Sequence, residues 1–105
     1  MHKSSNPVLV RKLQTVGMGT FIKYYHLFKS QRNEKSNEVI FAEFMKNKEP
    51  WNDNSFNTKA SQGKSIFNHN LEKQALEYII HNTNKNKIGL KLHEQAINIF
   101  NSDFK

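Results

Sequence analysis

A chain of 105 residues, 36% hydrophobic and 11% aromatic, has the length of one ordinary domain and enough large side chains for a modest core. With no cysteine, only four glycines and two prolines, and no apolar run long enough to cross a bilayer, the sequence excludes a disulfide framework and thiolate chemistry. It also argues against a turn-rich β domain and a membrane-spanning protein. The net charge of +7 and a pI near 9.7 point to a polyanionic partner.

The charge is unevenly spread. Residues 1–50 carry nine Lys/Arg against four Glu, whereas residues 51–68 carry two Lys against one Asp. We expect one helical domain over 1–105, cytoplasmic and with a flexible end at 1–6, whose positive field lies in the N-terminal part.

In chain order, Pro7 suits a first helical position, and Leu9, Leu13 and Val16 form an apolar stripe with Arg11 and Lys12 beside it. Gly17 and Gly19 interrupt it, and Thr20 can cap a fresh start, so the spacing predicts two helices, 8–17 and 20–30. The Gly-x-Gly follows a helical stretch and lacks a third glycine, so it is read as structural. Phe21, Tyr24, Tyr25 and Phe28 continue the inward face. Tyr24, Tyr25 and His26 could also form a stacking platform for bases, but core packing accounts for their spacing better.

Ser36 and Glu38 suit the start of a helix over 37–48, with Ile40, Phe41, Phe44 and Met45 inward. Pro50 stops it, and Trp51 should fold back onto the core. Asn52, Asp53 and Asn54 are turn residues, and Asn54 or Ser55 should cap the next helix. Further helices are predicted over 71–81 and 90–101, joined by a loop over 82–87. The fold class is all-α, a tri-helical helix-turn-helix-like centre (20–30, 37–48, 55–69) followed by a C-terminal antiparallel helical hairpin. Phe21, Phe28, Phe41, Phe44, Phe56, Phe67, Leu76, Ile79 and Ile99 should be buried together.

The central stretch over 55–69 is the most informative. Phe56, Ala60, Gly63 and Phe67 make one narrow inward stripe, and a glycine there calls for a close helix crossing with 20–30. The other positions hold Asn57, Thr58, Lys59, Ser61, Gln62, Lys64, Ser65 and Asn68, and no acid stands between Asn54 and Leu71. An ordinary solvated face mixes Glu with Lys. Short hydrogen-bonding side chains with lysines are instead the set that meets base edges and phosphates.

The five histidines stand at no metal-binding spacing, and no carboxylate pair, Gly-x-Ser-x-Gly, P-loop or His-Glu-x-x-His pattern is present. Neither a metal, a cofactor nor an enzymatic activity is expected. Two functional classes remain. One is a small regulator of transcription or of a mobile element that binds double-stranded DNA. In it Lys59, Lys64, Arg11 and Arg32 meet phosphates while Asn57 and Gln62 meet bases, with adenine as the best match. The other is a helical interaction module, such as a phage- or plasmid-encoded inhibitor, that binds an acidic protein partner. Groove reading needs Asn57, Lys59, Gln62 and Lys64 on one exposed ridge; an interaction module needs an exposed apolar patch, around Tyr24, Tyr25 and Trp51.

Overall fold

The computed structural model describes residues 6–82 and 88–104, which form seven helices and, among the described residues, no strand. Residues 1–5 of the expected flexible end and 83–87 of the expected loop lie outside the described residues.

Helix α1 (Pro7–Val16) begins where Asn6 Oδ1 accepts the N–H groups of Val8 (3.0 Å) and Leu9 (3.4 Å), with Pro7 in the first turn. It ends at Gly17, whose φ of +93° is a conformation that few other residues adopt, and whose N–H returns to Leu13 C=O at 2.7 Å. The stretch expected as one helix over 20–30 is two, α2 (Met18–Lys23) and α3 (Tyr25–Gln31), bent at Tyr24 (φ −112°, ψ 21°). Backbone hydrogen bonds cross the bend, from Tyr24 N–H to Thr20 C=O and from Phe28 N–H to Tyr24 C=O. The Tyr24 hydroxyl is held by Glu49 and Asn47, far along the chain, a tertiary tie that local periodicity does not reveal.

Helix α4 (Glu38–Lys46) starts one residue later than expected, after Asn37; Ser36 Oγ still accepts the Glu38 N–H at 3.1 Å. Helix α5 (Asp53–Asn68) starts two residues early, because Asn52 rather than Asn54 or Ser55 is its cap: Asn52 Oδ1 accepts the Ser55 N–H at 2.8 Å. That register puts Asp53 in the first turn, where the helix dipole favours a carboxylate. Asn70 (φ +56°) lets Leu71 N–H close back on Ile66 C=O at 2.8 Å and ends α5. Helices α6 (Glu72–Asn82) and α7 (Leu90–Phe104) pack along each other. His93 of α7 hydrogen-bonds Ile80 C=O of α6, while Glu72 and Asp103, at the opposite ends, both act on the Tyr25 hydroxyl. The pair is thus an antiparallel hairpin, and α7 runs three residues beyond its expected end at Asn101. No helix among the described residues is long and apolar enough to cross a membrane.

Helix α5 is the centre of the molecule, packed against α1, α3, α4 and α6. Phe56, Ala60, Gly63 and Phe67 are buried as the stripe requires, with Ile66 added. Aromatic rings fill the space between helices. Phe44 meets Tyr24 (4.9 Å), Phe56 (5.3 Å) and Trp51 (5.3 Å) edge-on, and Phe67 meets Tyr25 (5.0 Å) edge-on. Of the nine residues expected in the core, only Phe41 is half-buried, edge-on to Phe56 at 5.6 Å. A Cβ on Gly63 would lie 2.6–2.7 Å from three ring carbons of Phe28, so α3 crosses α5 at that glycine. Among the described residues, two ion pairs brace the periphery. Lys23 meets Glu49 at 2.7 Å, and Lys29 meets Asp103 at 3.3 Å. Burial alone would raise the Glu49 pKa, but hydrogen bonds from Lys23 and Tyr24 hold it below the usual carboxylate range.

Candidate nucleic-acid interface

On a helix advancing 100° per residue, Asn54, Asn57, Thr58, Ser61, Ser65 and Asn68 of α5 fall within an arc of about 100°. All are exposed except Ser65, which is half-exposed. The face holds three amides, three hydroxyls and no charge.

The ridge expected to carry Asn57, Lys59, Gln62 and Lys64 is divided. Asn57, Thr58, Ser61, Ser65 and Asn68 are on the exposed side, and the two lysines are not. Lys64 is only 7% exposed, and its Nζ donates to the carbonyls of Glu34 (2.8 Å) and Ser36 (3.4 Å). It leaves the expected phosphate-binding set because the α3–α4 connection folds over it and takes its ammonium. Lys59 is half-buried. Its Nζ donates to Val16 C=O (2.9 Å) and Thr15 C=O (3.3 Å), the last carbonyls of α1, and lies 4.7 Å from the Trp51 ring centroid. Desolvation pulls its pKa down, with Glu49 opposing. Both lysines fasten neighbouring segments to α5, one on each side.

Those segments flank the exposed face. On one side runs α1, with Arg11 exposed and Lys12 donating to Gln62 Oε1 at 3.3 Å. Two adjoining hollows share Thr15 there: one of about 350 Å³ lined by Pro7, Val8, Arg11, Lys12, Thr15 and Gln62, and one of about 300 Å³ lined by Asn52, Asn54, Ser55, Thr58 and Lys59 with Thr15. No acidic side chain lines either. On the other side is the 32–37 connection, where Asn37 Nδ2 donates to Asn57 Oδ1 (2.9 Å) and Ser61 Oγ (3.2 Å). Arg32, half-exposed at the end of α3, makes no hydrogen bond or ion pair with α5 among the described residues. Lys12, Thr15 and Asn37 join the site unforeseen: their partners are far along the chain, fifty residues for the Lys12–Gln62 pair.

The apolar patch that an interaction module would need is not formed by the expected residues. Tyr24 and Tyr25 are buried, and Trp51 is half-buried against Phe44 and Phe56. In comparisons with known protein families, with curated proteins and with solved structures, nothing matched this chain.

Proposed function

We propose that this chain is a double-stranded-DNA-binding regulator, of transcription or of a mobile element, acting in the cytoplasm. Its α3–α4–α5 centre serves as a looser relative of the helix-turn-helix. The turn between α4 and α5 is longer than in the tightest version of that motif and lacks a central glycine. The exposed face of α5 enters the major groove, and Arg11 and Lys12 meet the phosphates of one strand. One observation carries this reading: α5 exposes an unbroken stripe of Asn, Ser and Thr, beside a groove that bears Arg11 and Lys12 and no acid. A helix exposed merely to water would spend such positions on Glu and Lys, which form better helix and pair with each other.

The test is fluorescence anisotropy of the full chain with duplex DNA of mixed sequence at two salt concentrations. Binding should be measurable at about 50 mM salt and fall steeply by about 200 mM, because each phosphate contact releases counterions. No detectable affinity at the lower salt would overturn the proposal in favour of an acidic protein partner.

A further inference from the structure

Three side chains of the α5 interface have their oxygen atoms already engaged by donors from the flanking segments. Gln62 Oε1 accepts from Lys12 Nζ, and an ammonium can only donate, so the orientation of that amide is fixed. Asn57 Oδ1 and Ser61 Oγ both accept from the one amide nitrogen of Asn37. Each oxygen keeps a second lone pair but is turned toward the flanking segment, so the groups left free of any bond to those segments are the amide hydrogens of Asn57 and Gln62 and the hydroxyl hydrogen of Ser61. A free asparagine or glutamine is ambivalent, presenting a donor and an acceptor together, which suits adenine. These three are biased toward donation.

We infer that Asn37 and Lys12 are positioning residues that turn this face into a set of donors, so that the protein selects guanine, whose major-groove edge offers the two acceptors O6 and N7, over adenine. The inference rests on the duplex-binding reading above and replaces the adenine preference that the residue types alone suggest. Cytosine presents only an amino donor in the major groove, and adenine pairs its one acceptor with a donor. Neither matches the paired donors of Asn57 and Ser61, one helical turn apart and tied to the same Asn37 amide, as guanine does.

The experiment is selection of full-length protein against duplexes randomised over one helical turn, followed by affinity measurement on the enriched sequence. Guanine should be enriched at one or two adjacent positions. Replacing it by 7-deazaguanine, which removes the N7 acceptor, should weaken binding about tenfold, within the range for one lost base contact. Asn37→Ala, checked by its melting curve for a retained fold, should flatten the preference at that position while binding of unrelated duplex stays measurable. Asn37→Asp is nearly isosteric but can only accept. It should reverse Asn57 and Ser61 and move the preference toward adenine and cytosine, whose amino groups donate into the major groove. Enrichment of adenine, no effect of 7-deazaguanine, or an unchanged preference in both Asn37 variants would overturn the inference. Retention of duplex without any base preference would overturn it and leave the duplex-binding reading intact, whereas no retention at all would remove both. A readout without DNA is available by NMR. The Asn37 side-chain amide protons should exchange more slowly than those of Asn57 and lose that protection in an Asn57→Ala/Ser61→Ala variant.

Discussion

Gly63→Ala sets two effects of known size against each other. In a helix interior, alanine is favoured over glycine by about 1 kcal/mol, so on propensity alone the substitution should stabilise the protein. The new methyl, however, would sit 2.6–2.7 Å from three carbons of the Phe28 ring, about 1 Å inside van der Waals contact. Phe28 has no room to retreat. It is fully buried, with Phe21 at 6.2 Å, Tyr24 at 6.3 Å and Phe44 at 6.5 Å between ring centroids. Overpacking of a rigid core costs about 1–3 kcal/mol, and contact with three ring atoms belongs at the upper end. The net expectation is a loss of about 1–2 kcal/mol, or a fall in Tm of about 5–15 °C for a domain of this size. Urea unfolding followed by circular dichroism measures it. Phe28→Leu in the same chain should recover part of the loss, since a smaller side chain vacates the space. A Gly63→Ala protein that melts above the parent would show that the α3–α5 crossing is looser than described.

Lys64→Ala should destabilise by about 2–3 kcal/mol, from the loss of charge-assisted hydrogen bonds to two backbone carbonyls and of the packed stem. Lys64→Met, which keeps the stem and removes the buried charge, should cost clearly less in the same unfolding assay; equal losses would mean that the stem contributes nothing and the ammonium carries the whole effect. Burial, with Glu49 beside Tyr24 and Asp103 beside Tyr25, raises both tyrosine pKa values above the ordinary 10.0. The neutral phenols are favoured in the fold, so their stabilisation is complete below pH 10 and lost as pH rises beyond it, with partial compensation from Lys59, whose lowered pKa works in the opposite direction. Unfolding free energy should therefore decline above about pH 10, less steeply in Tyr25→Phe; parallel pH curves would refute the assignment. Arg11→Ala and Lys12→Ala should each reduce the salt dependence of duplex binding by about one ion at equal stability. A salt slope that neither substitution changes would place the phosphates elsewhere.

Most of the inward faces were readable from spacing because burial follows helical period, but Met45, expected inward beside Phe44, is 66% exposed, since only Ile40 and Phe44 of α4 are buried. Gly63 was readable for a second reason: a residue that weakens a helix needs a packing partner, and Phe28 supplies it. The start of α5 was harder to place, since Asn52, Asp53 and Asn54 all satisfy the capping rule and only the folded Asn52–Ser55 hydrogen bond selects one. The lysines mark where local reasoning ends. Lys59 and Lys64 look like solvent-facing cations in the sequence, yet their ammonium groups bond carbonyls 28–44 residues away. No periodicity encodes which loop returns to cover a given side chain. The Asn57, Thr58, Ser61 and Asn68 face was legible because it needs no partner to be exposed.

The central place of α5 also shapes how the chain must fold during synthesis. Helix α1 buries Leu9, Leu13 and Val16 chiefly against α5, and α3 and α4 lean on it as well. None of these faces is covered until residues 53–68 have been made. At about 5–20 residues per second, the interval between completing α1 and completing α5 is about 3–10 s. Throughout that time the apolar stripes of four helices have only one another for cover, a span in which holding chaperones can bind and in which neighbouring nascent chains can stick together. Helices α6 and α7, close neighbours in sequence, face no such delay.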